Sequence, residues 1–299
     1  MKKTKLGAAL VCVLAMVATM AGCATGNSEE GGGDGGSADG KQLTIGYINW
    51  DEDVAVTHLW KKVLEDKGYD VEMKQIADAG PTFVGLDRGD IDLFFDAWLP
   101  ATHETYWEKY GEDLTDIHTW YDEAPLTIAV PDYMDVKSLA DLKSIGDKVD
   151  KTIVGIEPGA GLTRTTKESM MPEYGLDGWT LKTSSTASML AALKKATAAK
   201  QPIVVTLWRP HWAYTQFPIR DLKDPKGAMG EPDGIHAVGK QSFGEDFPKI
   251  AEMIKNFHLD DKTLGSLEKA VLIDNKDNPQ KGVKEWLKAN PDFVKSLEG

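Results

Sequence analysis

Cysteine is nearly missing from this chain of 299 residues. The two present are Cys12 and Cys23, so residues 24–299 can form no disulfide and offer no redox centre or thiol nucleophile. Positive charge is scarce as well. Asp and Glu number 47 against 34 Lys and Arg, a formal net charge of −13, which argues against a nucleic-acid partner because phosphate binding needs a basic face. A long apolar run occurs once, from Leu6 to Met20, too short for a comfortable membrane span, so a multi-span membrane protein is excluded. The hydrolase patterns HExxH and GxSxG do not occur, no spacing around His211 singles out a catalytic set, and no internal repeat is visible. No cofactor and no metal site is expected. What remains is ordinary for a globular α/β protein, with 41% apolar and 27% charged residues. Against that background nine tryptophans are many.

The first forty residues read as an export and attachment segment. Lys2, Lys3 and Lys5 precede the apolar run, and the run ends in Met20-Ala21-Gly22-Cys23. Small residues before a cysteine resemble the lipobox of bacterial lipoproteins. The resemblance implies a signal peptide over 1–22 and a lipidated Cys23; an ordinary secretory signal is the alternative. Loss of the three lysines takes the net charge from −13 to −16, so attachment has to come from acyl chains rather than from attraction to anionic lipid. Residues 24–40 contain seven glycines and no large apolar side chain. With Cys23 they form a flexible tether over 23–40, reaching roughly 20–25 Å as a random coil. The expected location is the extracytoplasmic face of a bacterial cell membrane, lipid-anchored.

From Leu43 onward short apolar runs alternate with amphipathic stretches, the pattern of an α/β fold. Strands are expected over 43–48, 71–76, 91–96, 126–130, 152–157, 180–183, 203–207 and 235–239. Helices are expected over 54–67, 81–88, 102–110, 138–143, 162–171, 186–198, 247–257, 262–272 and 280–288. Val56, Leu59, Trp60, Val63 and Leu64 share one helix face. Turn residues near Pro125–Pro131 and near Pro225–Val238 suggest two crossings between lobes. The expected division is a first lobe over 41–127 plus 235–299 and a second over 128–234. Such a pair forms a hinged clamp with its ligand cleft between the lobes.

Trp50, Trp98 and Trp208 each fall at the carboxyl end of an expected strand, the edge where open α/β sheets bind ligands. One such tryptophan is as readily a packing residue. Three at equivalent places suggest a pocket walled by indole faces, suited to a quaternary ammonium group that donates no hydrogen bonds. A stacked sugar or nucleobase is the competing reading. Trp60 and Trp286 lie on helix faces, Trp107 and Trp120 flank a helix, Trp179 begins a strand and Trp212 begins a helix. The strand over 152–157 runs into Pro158-Gly159-Ala160-Gly161-Leu162, a turn able to present backbone N–H groups to an anion. Arg164 takes the third glycine position of a dinucleotide fingerprint, and the lysine of a phosphate loop is absent, so a small carboxylate suits the turn better. Together the two features describe a receptor for a zwitterion.

Four segments carry a specific resemblance: GYINWDEDVA (46–55), DIDLFFDAWLPATHETY (90–106), VGIEPGAGL (154–162) and VVTLWRPHW (204–212). Over roughly 41–290 the chain resembles the glycine betaine/proline betaine substrate-binding proteins of osmoprotectant ABC transporters. The resemblance implies the two-lobed, type II periplasmic-binding-protein-like fold and no enzymatic activity. It implies that Trp50, Trp98 and Trp208 cage the quaternary ammonium group, while the Gly161 and Leu162 amides and His103 hold the carboxylate. Some family members carry these segments in permuted order, so roles transfer by motif. Related choline receptors lack the histidine, and His103 therefore favours a carboxylate-bearing ligand. An ABC permease and its ATPase are the implied partners. Asp51, Glu52 and Asp53 are read as solvated or helix-capping, with help to a cation or a choline hydroxyl as the alternative. Rival readings are a choline or carnitine receptor of the same fold, a lipid-anchored surface hydrolase and a sensory lipoprotein.

Overall fold

A computed structural model describes residues 41–299; the expected signal peptide, Cys23 and the tether lie outside them. Two five-stranded mixed sheets carry the fold. The first has the order β2 (Asp70–Gln75), β1 (Gln42–Tyr47), β3 (Leu93–Leu99), β10 (Asp233–Lys240), β4 (Leu114–Ala124). The second has the order β7 (Thr180–Lys182), β6 (Thr152–Val154), β8 (Val205–Trp208), β5 (Leu126–Pro131), β9 (Ile219–Asp221). In each sheet three strands run parallel and the last two join antiparallel. The chain leaves the first sheet at Pro125 and returns to it between Asp221 and Asp233. The sequence limits at 127 and 234 fall just inside β5 and β10.

β3, LFFDAWL, is buried at all seven positions, as expected for a central strand covered on both faces. Helix α1 (Asp51–Glu65) follows β1 directly and buries Val56, Leu59, Trp60, Val63 and Leu64. Its acidic first turn complements the positive end of the helix dipole. Helix α2 (Ala79–Asp87) is capped by the Asp78 side chain, which accepts the Ala79 N–H. Among the described residues no helix is long and apolar enough to cross a membrane.

Several expectations need correction. β4 was not anticipated. Its apolar residues are Leu114, Ile117, Trp120, Tyr121 and Ala124, which do not alternate, because the β4–β10 register shifts at three places. Trp120 is therefore a strand residue rather than a neighbour of a helix, and Trp107 lies inside helix α3 (Glu104–Tyr110). β9, three residues long, is too short to leave a periodic signal. The strand expected over 152–157 stops at Val154. The helix expected over 162–171 is helix α4 (Gly161–Thr165) followed by a π-turn over Thr166–Met170. The segment expected as a helix over 138–143 is a 3₁₀ stretch, Leu139–Lys148, with a Ser138 capping box. Trp98 and Trp208 do not follow their strands but are their last or next-to-last residues.

Beneath the first sheet Trp120 stacks on Phe257 at 5.4 Å, and Trp60 stacks on Phe95 at 5.1 Å. The Trp120 indole N–H donates to the Phe95 carbonyl at 2.6 Å. That carbonyl sits where the β3–β10 register slips between His236 and Val238, so the indole ties down an irregular part of the ladder. Trp120→Phe keeps an aromatic ring and removes this bond. It is expected to lower stability by about 1–3 kcal/mol, read as a lower denaturant midpoint with unchanged slope; an unshifted midpoint would show the bond to be dispensable.

Candidate functional site

A cavity opens between the two sheets, and Trp50, Trp98, His103, Gly161, Leu162 and Trp208 all line it. The six residues that sequence singled out thus come together, arriving from different elements. Trp50 is the residue before α1, Trp98 lies in β3, His103 precedes α3, Trp208 ends β8, and Gly161 and Leu162 open α4. Thr102, Leu126, Ile156, Ala160 and Glu52 complete the wall.

Each indole in the cavity has its N–H tied to a carboxylate. Trp98 Nε1 donates to Asp96 Oδ1 at 2.9 Å, Trp50 Nε1 to Glu157 Oε2 at 3.1 Å and Trp208 Nε1 to Glu52 Oε2 at 2.9 Å. Just behind Trp208, Trp212 Nε1 donates to Asp51 Oδ1 at 2.7 Å, and His211 Nε2 lies 3.1 Å from Asp51 Oδ2. Two of the three cavity bonds cross between the halves of the molecule. Trp50, beside the first sheet, uses Glu157 from the second half, and Trp208 in the second sheet uses Glu52 from α1. Glu157 also accepts the Thr186 N–H at 2.9 Å and the Thr186 hydroxyl at 2.8 Å, which fixes its own orientation.

This corrects the reading of Glu52 and Asp53 as solvated. Both are fully buried. Asp53 accepts the Ile48 N–H at 2.7 Å and the Thr57 hydroxyl at 3.1 Å. Burial, with Asp96 nearby, pushes both carboxyl groups well up from their ordinary range; Glu268 adds to the effect on Glu52. Burial likewise raises Asp96 to about 7. Sequence reasoning passed over Asp96, Glu157 and Glu268. Asp96 had a signal, being a lone acid inside an otherwise apolar strand. Glu157 and Glu268 had none that spacing could expose.

His103 is held in one tautomer. Its Nδ1 accepts the Trp98 backbone N–H at 3.0 Å, so the ring proton resides on Nε2. That Nε2 is buried and has no partner among the described residues. Burial lowers the imidazole pKa to about 3, with the Arg164 charge adding to the effect, so the ring is a neutral donor at any physiological pH. It stacks on Trp50 with centroids 5.8 Å apart. The N–H groups of Gly161 and Leu162 donate to no acceptor among the described residues. The cavity therefore gathers three indoles and three N–H donors that have no acceptor among the described residues.

The two halves also meet at the donor end. The Tyr106 hydroxyl donates to the Gly159 carbonyl at 2.8 Å, and the Gly159 N–H donates to Asp78 Oδ2 at 2.7 Å. Arg164 donates to the Ala101 carbonyl at 3.0 Å. A Cβ on Gly161 would lie 2.1 Å from the Thr102 carbonyl oxygen, and one on Gly159 would lie 2.6 Å from Asp78 Oδ2. Glycine is needed here because opposing chain presses on the turn. Among the described residues no group of three or more His, Cys, Asp or Glu side chains is arranged to hold a metal ion.

Residues 41–289 match the family described as OpuAC, the substrate binding domain of ABC-type glycine betaine transport system. The glycine betaine/carnitine transport binding protein GbuC of Listeria monocytogenes serotype 1/2a (strain 10403S) is 37% identical over 155 residues, covering 51% of this chain and 50% of that protein. The chain thus spans about half the length of this curated relative. The crystal structure of lactococcal OpuAC in its closed-liganded conformation with glycine betaine is similar, with a TM-score of 0.79 at 30% identity, covering 87% of this chain and 100% of that one. ProX from Borrelia burgdorferi, a glycine/betaine/L-proline-binding protein, gives a TM-score of 0.79 at 28% identity, covering 86% and 96%. The architecture is the two-lobed α/β fold of type II periplasmic binding proteins, with the cavity in the cleft between lobes. The matched family consists of transport binding proteins, not enzymes. On this match the chain belongs to the family of substrate-binding domains of ABC-type glycine betaine transport systems.

Proposed function

We propose that this protein captures glycine betaine, or a related quaternary-ammonium osmoprotectant such as proline betaine, and delivers it to a membrane permease powered by a cytoplasmic ATPase. The observation that carries the reading is a cavity lined by three indoles together with three N–H donors that have no acceptor among the described residues. The lobes, 41–127 plus 235–299 and 128–234, hinge around the ligand. Trp50, Trp98 and Trp208 form the cage. Each ring face contributes roughly 0.5–2 kcal/mol to a methylated ammonium that water solvates weakly. The Gly161 and Leu162 amides and His103 Nε2 take the carboxylate. Closure strips water from all of these groups and strengthens the charge-assisted bonds. The acidic surface keeps the globular part away from anionic lipid, so a lipidated Cys23 and the tether over 23–40 attach it to the extracytoplasmic face of the membrane. Carnitine and choline share the ammonium group and are the competing ligands. The buried Glu52 on the cavity wall keeps choline in contention, because a carboxylate there could accept its hydroxyl.

Calorimetric titration with glycine betaine, choline and carnitine side by side tests the assignment. Glycine betaine should bind and raise the melting temperature, as linkage requires; no shift at millimolar ligand would defeat it. Trp98→Ala and Trp208→Ala should each weaken betaine binding by about 1–3 kcal/mol from lost ring contact and burial, and wild-type affinity in both would remove the cage. His103→Ala should hurt carboxylate ligands more than choline. Because burial holds the His103 pKa near 3, no protonation of this ring should alter betaine affinity between pH 5 and 8. The difference in affinity between wild type and His103→Ala should therefore be constant over that range; a difference that grows on acidification would mean that the ring gains charge.

A further inference from the structure

Glu52, Asp53, Asp96 and Glu268 are fully buried side by side behind the cavity. They come from three elements: the first turn of α1, the middle of β3 and the end of the helix Asp261–Glu268. No Lys or Arg pairs with any of the four among the described residues. Glu52 itself lines the cavity. Asp96 Oδ2 accepts no hydrogen bond, and Glu268 faces the Trp212 backbone N–H without either oxygen completing a bond.

The other titratable groups facing this set are few. Asp51 shares the first turn of α1 and acts on Glu268. Tyr47, at the end of β1, faces Asp53. Tyr121 of β4 is hydrogen-bonded to Asp261 and faces Glu268. His211 lies one step further out, 3.1 Å from Asp51. None of these supplies a fixed positive charge. Several carboxylates buried together cannot all be ionised, and they hold protons as a coupled group. Their raised pKa values, Asp96 at about 7 among them, agree with that geometry.

We infer that Glu52, Asp96 and Glu268 select the charge of the ligand: a cation entering the indole end exchanges for a proton held by the cluster. The inference rests on the quaternary-ammonium reading above. One carboxyl O–H bond breaks, its electron pair stays on oxygen, and the proton leaves to water as the fixed positive charge arrives. Near the indoles the exchange replaces one positive charge by another, while the ligand's carboxylate brings its own negative charge to the N–H donors, so the complex is one unit more negative than the protonated free site. A neutral ligand of the same shape would leave the proton in place and gain nothing from the cluster. The bound cation favours the ionised carboxylate, so affinity rises with pH wherever the free cluster is still partly protonated. Betaine's own carboxylate, acidified by its neighbouring ammonium, stays ionised throughout and exchanges no proton.

The test is calorimetry of glycine betaine binding to the full chain at pH 6.5, in two buffers of different ionisation enthalpy. The expected result is a fraction of a proton released per ligand bound, with affinity tightening about tenfold from pH 5.5 to 7.5 for about half a proton released. Glu52→Gln and Asp96→Asn should each release fewer protons per betaine bound, and His211→Asn should release as many as wild type. Normal betaine binding with identical heats in both buffers and no pH trend overturns the inference and leaves the ligand assignment standing. Loss of the released proton in His211→Asn also overturns it, by moving the proton to the histidine. Absence of any binding heat removes the ligand assignment and this inference together. The wild-type pH series needs no variant, so it decides the matter even if the substitutions fail to fold.

Discussion

An indole can offer its face to a ligand only if its N–H is satisfied at the edge, and here a carboxylate satisfies every indole N–H around the cavity. The bond fixes the plane of each ring and satisfies its polar edge, while the His103 ring stacks on one face of Trp50. The arrangement demands buried acids, and burial of acids is costly without a positive partner. The protein keeps them anyway, in α1, β3 and the Gly155–Gly161 region, which together frame the cleft.

The donor end follows a different logic. Its groups are neutral: two backbone amides and an imidazole whose proton is positioned by the Trp98 backbone. Trp98 thereby serves both ends, with its indole on one wall and its N–H setting the tautomer of His103. The turn from Trp98 to His103 closes on itself, since the His103 N–H returns to the Trp98 carbonyl at 2.9 Å. A short stretch of β3 and the following loop thus sets both an indole and an N–H donor of the cavity.

Much of the site was legible in the sequence, because indoles at strand ends and a glycine turn leave marks in local pattern. The six expected residues share one cavity for that reason. The acids were misjudged because their partners are remote: Glu52 meets Trp208, and Glu157 meets Trp50, contacts that no local window contains. Asp51-Glu52-Asp53 looks like any acidic helix start, and only the opposing lobe distinguishes a buried acid from a solvated cap. The fold was read to a similar depth. β3 announced itself as a continuous apolar run, whereas β4 was missed because its bulges destroy the alternation by which strands are recognised.

The crossed pairing of Trp50 with Glu157 and of Trp208 with Glu52 has an evolutionary corollary. Neither lobe owns a complete wall of the pocket, because each ring borrows its acceptor from the other side. A recombinant that inherits one lobe from this protein and the other from a distant relative would mismatch indole and acid at two places at once. Ligand preference in such a scaffold can drift by paired substitutions spanning the cleft far more easily than by the exchange of whole modules.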